Sequence, residues 1–320
     1  MPTMQTQIAE SLKEQIILGV SEYAKTNRIS NNEMARLTEV NPSYISNMMR
    51  NNYNIVVDGK EIPIGDKWFF KLAEWANISI KKSYWGTVRT MQFIQILPVL
   101  EQAKQSSRVS VIIAPTGSGK TYAVDKFCHQ HPQYVFKITV NSVQRLPDVL
   151  KELIDKVGVQ FPQFSVAGKL SAIIDKIRVF KRNGHSPMII IDEAENLPLP
   201  VLKMLKGLYD GVHGYGSIVL IGTDQLIHKL DRLRKHDREG IPQLYRRIKA
   251  GIRYIHGDKD FSLFFDRLNI NDKGLRRLLT SLCENYGELN DYLEPALREA
   301  DDNEKPLTED LFRIMYNLPK

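Results

Sequence analysis

Between Val109 and about His256 the chain alternates short apolar runs with longer stretches in which apolar positions recur every three or four residues. The runs are VSVIIA, YVFKITV, PMIIID, SIVLIG and GIRYIH. Near-continuous apolar runs of this length predict strands buried on both faces, and helical stretches between them supply the crossovers a parallel sheet needs. The flanks read differently. Residues 6–78 read as short helices: in IAESLKEQIILGVSEYA, Ile8, Leu12, Ile16, Val20 and Tyr23 fall on one helical face. Residues 79–107 read as a linker followed by a helix, and 257–320 as helices separated by turn signals at NDKG, NYGE and DDNEKP. The expected organisation is a helical domain over 1–78, a connecting segment over 79–107, an α/β core over 108–256 with a five-stranded parallel sheet, and a C-terminal helical domain over 257–320.

Composition narrows the class. With 42% apolar and 25% charged residues in 320, the chain is an ordinary globular one. Cys128 and Cys283 fit no metal spacing, which points to two buried, reduced thiols in an intracellular setting. The N-terminus lacks a basic-then-apolar leader and runs such as MIII are far too short to span a bilayer, so a cytoplasmic protein with no membrane partner is expected. Charge is uneven: 257–320 holds 9 basic against 14 acidic residues, so the overall +7 becomes +12 over 1–256. Within 225–256 there are 9 basic and 3 acidic residues. Such asymmetry suits a polyanionic partner, with a solvated basic face as the alternative.

The first apolar run ends in VIIAPTGSGKTYAV, residues 111–124. Strand, glycine loop and helix in that order are the setting of a phosphate-binding loop. Gly117 and Gly119 let backbone N–H groups close around phosphate oxygens, Lys120 reaches the β- and γ-phosphates, and the Thr121 hydroxyl is a ligand for Mg²⁺. Pro115, Thr116, Ser118 and Tyr122 complete the expected ATP-binding stretch, with Ala114 where such loops usually start with glycine. In PMIIIDEAENL a buried strand ends in two carboxylates, costly without a cation or a proton to handle. Asp192 suits the Mg²⁺ role, Glu193 the general base that activates water, and Glu195 a helix-start or interface carboxylate. Thr223, ending SIVLIGT, can orient the attacking water, while Asp224 caps the next helix.

SNNEMARLTEVNPSYISNMMRNN, residues 30–52, reads as helix, turn, helix. Asn41 caps and Pro42 starts the second helix, and Ala35, Leu37, Val40, Ile45 and Met48 have the spacing of two packed helices. Ser43, Tyr44, Ser46 and Asn47 are left for a DNA groove or phosphates. Glu39 stands where such turns often have glycine. A helical bundle that touches no DNA is the competing reading.

The order GSGKT (117–121), IIIDEAENL (189–197), VLIGT (219–223) and LYRRI (244–248), then a small helical lid containing NYGELNDYLEPALREA (285–300), resembles the AAA+ ATPases. The similarity extends to the MuB family of target-selecting transposition ATPases of Mu-like phages, related to the TnsC, TniB and IstB helpers. The resemblance implies an arginine reaching a neighbouring subunit's γ-phosphate, Arg247 with Arg246 in reserve. It places adenine near Thr90 and Met91, and puts Asn290 where many such lids carry a nucleotide-sensing arginine, Arg298 being two turns further on. It also implies a helix-turn-helix appendage with weak, mostly non-specific DNA affinity. Homo-oligomeric, ATP-dependent helical filaments on double-stranded DNA follow from it, as does a DDE transposase partner that stimulates hydrolysis in a bacterial host. Lys181, Arg182, Arg232, Arg234 and Lys235 are the expected backbone contacts, or equally a solvated face. A helicase-loader ATPase and an ATP-switched transcription regulator share the same core and stand as rivals.

Overall fold

In a computed structural model, residues 10–57, 60–78, 84–160, 165–303 and 305–319 are described. Internal contacts divide the chain into two units, Met1–Gly86 and Thr87–Lys320.

The first unit comprises α1 (Glu10–Asn27), α2 (Asn31–Thr38), α3 (Pro42–Met48), β1 (Asn54–Val57), β2 (Lys60–Pro63) and α4 (Asp66–Trp75). Ser30 accepts from the Glu33 N–H to cap α2, and Asn41 accepts from the Ser43 N–H to cap α3, with Pro42 in the first turn. Glu39, between the two helices, is left-handed at φ 52° and is anchored by Lys71, whose Nζ donates to Oε2 at 3.1 Å. Ile16, Val20, Met34, Ile45, Met48, Phe69 and Leu72 form its core. Two expectations are corrected. Leu37 is 49% exposed, because Met34, Ala35 and Thr38 take the inward face of so short a helix. The stretch is also not wholly helical: β1 and β2 pair antiparallel, Ile55 opposite Ile62. The signal was present in Ile-Val-Val followed by Asp-Gly, a hairpin dipeptide after β-formers. Asp58 and Gly59, like Ile8, lie outside the described residues.

The second unit begins with α5 (Met91–Ser106), followed by β3 (Val109–Ile113), α6 (Lys120–Gln130), β4 (Val135–Thr139), α7 (Leu146–Val157), α8 (Val166–Arg182) and β5 (Met188–Asp192). Then come α9 (Leu199–Val212), β6 (Ser217–Gly222), α10 (Asp224–Lys235), α11 (Ile241–Ile248) and β7 (Ile252–Tyr254). The five strands pair in parallel in the order β4-β5-β6-β3-β7. Every residue of strands β5 and β6 is buried, in keeping with their apolar interiors, whereas the edge strands β4 and β7 are partly open. Side chains alternate between two cores: Val111, Ile113, Ile189 and Ile191 face α7 to α11, while Ile112, Ile190, Val219 and Ile221 face α5 and α6. The strand carrying the glycine loop thus lies one strand away from β5, with β6 between. All three end on the same side.

The lid is α12 (Ser262–Arg267), α13 (Lys273–Leu282), α14 (Tyr286–Asp302) and α15 (Glu309–Met315). Asp272 holds it together at one point, accepting from the N–H groups of Gly274, Leu275 and Glu309. No described helix is long and apolar enough to cross a membrane.

Candidate nucleotide site

The loop after β3 stays tied to the sheet by the Ala114 N–H, which donates to the Gly222 carbonyl at 3.0 Å. The backbone then turns through Gly117 (φ +69°) and Gly119 (φ +83°), conformations that side chains disfavour, and α6 starts at Lys120. Lys120 Nζ donates to the carbonyls of Ala114 (2.9 Å) and Pro115 (2.7 Å). Burial pushes its pKa below the ordinary value, opposed by the nearby charges of Glu195, Asp192 and Glu193. Thr121 is exposed in the first turn of α6, and the Tyr122 hydroxyl is bonded to that of Thr87.

Across β6, Asp192 closes β5 with 1% exposure. Its Oδ1 accepts from the Glu193 N–H at 3.0 Å. Its Oδ2 has no aligned donor, although Lys137 Nζ lies 3.3 Å away and bonds Asp125 at 2.6 Å. Burial disfavours the Lys137 ammonium, but the Asp125 bond and the Asp192 charge prevail and hold its pKa above the ordinary value. Glu193 is left-handed (φ 53°), which turns its carboxylate outward, where it accepts from Asn196 Nδ2 at 3.2 Å. Asn196 itself donates to the carbonyl of Val140, the residue after β4, at 2.9 Å. Glu195 folds the other way, its Oε2 buried against Gly222, where a Cβ would come within 2.6 Å of it.

Three buried oxygens therefore lack hydrogen-bond partners at the C-terminal ends of β3, β5 and β6, Ser118 Oγ, Glu195 Oε2 and Thr223 Oγ1, and a fourth, Asp192 Oδ2, has only the Lys137 ammonium beside it. Each such group costs about 1–3 kcal/mol if left unpaired. The arrangement suits a ligand rich in donors or bearing a cation. A carboxylate and a hydroxyl are hard oxygen donors of the kind Mg²⁺ prefers, and Mg²⁺ commonly takes only one or two protein carboxylates, completing its shell with phosphates and water. No cluster of three or more His, Cys, Asp or Glu side chains able to hold a metal occurs among the described residues.

Beside the loop opens a cavity of about 540 Å³, lined by Gln92, Pro115, Thr116, Ser118, Asp258, Lys259 and the lid residues Glu284, Asn285, Tyr286 and Glu288. The lid touches the loop directly: Gly287 N–H donates to the Gly117 carbonyl at 3.2 Å, and a Cβ at Gly117 would overlap the Asn285 side chain. Asn285 is the N-cap of α14, accepting from the Glu288 N–H. Asn290 is not at this cavity; it lines another with Asp291, Glu294 and Arg298, and Arg298 pairs with Glu294 at 3.2 Å. Thr90 caps α5 through the Phe93 N–H, and Met91 is 53% exposed, so neither lines the cavity. The sequence reading missed Gln92, Asn285 and Lys137, and gave Glu195 only a helix-start or interface role. For Asn285 a signal existed in Asn-x-x-Glu, a capping pattern.

Arg247 lies elsewhere. Its Nε donates to Asp210 Oδ1 at 2.6 Å, its guanidinium sits 5.7 Å from the Tyr209 ring centroid, and it lines a cavity with Arg108, Val109 and Arg253 where β3 begins. That is the opposite end of the sheet from its own glycine loop; Arg246 is exposed. Lys181 is at that end too, donating to Ser107 Oγ at 3.2 Å, while Arg182, Arg232 and Lys235 are exposed. Arg234 pairs with Asp231 at 3.1 Å and packs on Tyr245. In the first unit Ser43 is exposed, Tyr44 and Ser46 are half-buried, with Tyr44 edge-on to Trp68, and Asn47 donates to the Asn54 carbonyl at 3.4 Å. Cys283 is buried and Cys128 half-buried, and both are free thiols.

A glycine loop at the end of one parallel strand, with a carboxylate-bearing strand one position away, defines a P-loop NTPase core of the AAA+ class. The AAA domain family model matches residues 103–230. Over 215 residues, 67% of this chain and 71% of the relative, the sequence is 23% identical to the Mu-like prophage FluMu DNA transposition protein B of Haemophilus influenzae. The chain thus carries an AAA domain and is similar to that transposition protein.

Proposed function

We propose that the chain is an ATP-dependent, largely sequence-indifferent DNA-binding ATPase. It coats double-stranded DNA as a helical filament and passes that DNA to a partner transposase, whose contact stimulates hydrolysis. The observation that carries the nucleotide part is the set of buried oxygens around the glycine loop, Ser118 Oγ, Glu195 Oε2 and Thr223 Oγ1 without a hydrogen-bond partner and Asp192 Oδ2 with Lys137 alone.

Lys120 and the backbone N–H groups of 117–121 hold the β- and γ-phosphates. Thr121 and Asp192 are the residues to hold Mg²⁺, which when bound neutralises phosphate charge. Glu193 takes a proton from the attacking water and Thr223 orients that water. Water oxygen bonds to the γ-phosphorus as the bond to the ADP oxygen breaks, giving ADP and phosphate. Arg247 is remote from its own loop, which supports its acting on a neighbour's triphosphate. The charge of +12 over residues 1–256 supports a polyanion partner, with Lys181, Arg182, Arg232, Arg234 and Lys235, and Ser43, Tyr44, Ser46 and Asn47 of the first unit, as candidate contacts. The relative's printed role in DNA transposition supports the transposase partner.

Calorimetric titration of ATP with Mg²⁺, paired with a phosphate-release assay, tests the nucleotide part. Wild type is expected to bind and hydrolyse, Lys120→Ala to lose binding, and Glu193→Gln to bind but turn over about a hundredfold more slowly. Undiminished turnover by Glu193→Gln would remove it from the base role.

A further inference from the structure

The nucleotide reading leaves Gln92 without a task. It is the second residue of α5, 1% exposed, and forms part of the wall of the cavity beside the glycine loop. Its Nε2 donates to the Asp258 carbonyl at 3.1 Å, and its Oε1 accepts from the Tyr286 hydroxyl at 3.3 Å. A carbonyl can only accept, so the Asp258 bond fixes which end of the amide is nitrogen. Burial, with Asp258 nearby, pushes the Tyr286 phenol up to about 12, so it remains a hydroxyl donor at neutral pH.

A primary amide offers two N–H donors and two acceptor positions. The two bonds leave one N–H and one oxygen lone pair of the amide unused, on a residue that walls the cavity. That pair complements an adenine edge: Oε1 receives a proton from N6 while Nε2 donates to a ring nitrogen. A 6-keto purine has an acceptor, O6, in place of that donor, flanked by N1–H on one edge and N7 on the other, and an amide locked by Asp258 and Tyr286 cannot turn over to meet it. Acidic residues outnumber basic ones around the same cavity, Asp258, Glu284 and Glu288 against Lys259. These attract an exocyclic amine and repel a keto oxygen.

We propose that Gln92 is the base reader of this site, its locked amide selecting an adenine nucleotide over a 6-keto purine nucleotide. The inference rests on the nucleotide reading given above.

The test measures dissociation constants of the full chain for ATP, inosine triphosphate and purine riboside triphosphate, which lacks the 6-amino group. Wild type is expected to bind ATP about tenfold or more tightly than either analogue, the loss typical of leaving built-in polar groups unpaired. Gln92→Leu is expected to bring ATP and inosine triphosphate within about threefold of each other while still binding both. Tyr286→Phe keeps the ring among Phe261 and Phe264 but frees the amide, and is expected to cut the preference about threefold. Equal wild-type affinity for ATP and inosine triphosphate, or a preference that survives Gln92→Leu, would overturn the proposal. If Gln92→Leu fails to fold by thermal melting, the wild-type comparison and Tyr286→Phe decide the matter. Failure of wild type to bind any of the three nucleotides would instead overturn the nucleotide reading, and the base reader with it.

Discussion

The backbone N–H of Gly287 donates to the carbonyl of Gly117 at 3.2 Å, so the longest lid helix begins on the phosphate loop. Gly117 consequently meets two demands, a left-handed backbone and an approach that the Asn285 side chain makes too tight for a Cβ. Gly119 meets only the first, since a Cβ there would contact nothing within 4 Å. Gly117→Ala and Gly119→Ala should both carry about 1–2 kcal/mol of backbone strain. Only Gly117→Ala should also speed amide hydrogen exchange across 286–302, by loosening the lid. Equal exchange in the two variants would mean that the contact does not order the lid.

Glu195 is first among the charges that support the Lys120 ammonium against burial. Because burial lowers the Lys120 pKa, ATP affinity should fall as pH rises through that lowered value, when the ammonium loses its proton. Glu195→Gln removes the main opposing charge and should move the fall to lower pH. Titrating affinity from pH 7 to 10 in both proteins checks the sign. Coincident profiles would show that Glu195 does not act on Lys120.

Asp272 ties α13 to α15, and the N–H groups of Glu309, Leu275 and Gly274 hold its carboxyl below the ordinary 3.8. A lowered folded pKa contributes stability that is fully present above the unfolded value and is lost as pH falls through the folded one. Asp272→Ala should therefore cost about 1 kcal/mol at pH 7. Its difference from wild type should shrink below pH 4, which denaturant melts at pH 7 and pH 3 would reveal. An equal deficit at both values would assign the loss to packing.

The sheet was legible because burial on both faces leaves a plain mark: the interiors of MIIID and SIVLIG have no polar position. The loop and Asp192 were legible because their chemistry is local in sequence. Gln92 and Asn285 were not, since each gains its setting from residues far along the chain, Asp258 for one and Gly117 for the other. Glu193 and Glu195 look alike in DEAE. Only the left-handed turn at Glu193 separates an outward carboxylate from one packed on Gly222. On the lid, the helix cap Asn285 packs against Gly117, while Asn290 lines a separate cavity.

Arg247 is held by Asp210 at the end of the sheet remote from Lys120. If it serves a neighbour, Arg247→Ala and Lys120→Ala should each lack turnover alone. Mixed in equal amounts on DNA they should recover a fraction of it, because some interfaces then pair an intact loop with an intact arginine. No recovery at any ratio would argue against a shared site, and Arg246→Ala tested in the same way distinguishes the two arginines.

ATP gripped between adjacent copies is what should decide whether those copies assemble on a duplex. Electron microscopy of the full chain with plasmid DNA of unrelated sequence, with ATP, without it, and with Asp192→Ala, reads this out. Helical coats on the DNA only for wild type with ATP are the expected result. Coats that form equally without nucleotide, or a protein that stays monomeric in every condition, would contradict it.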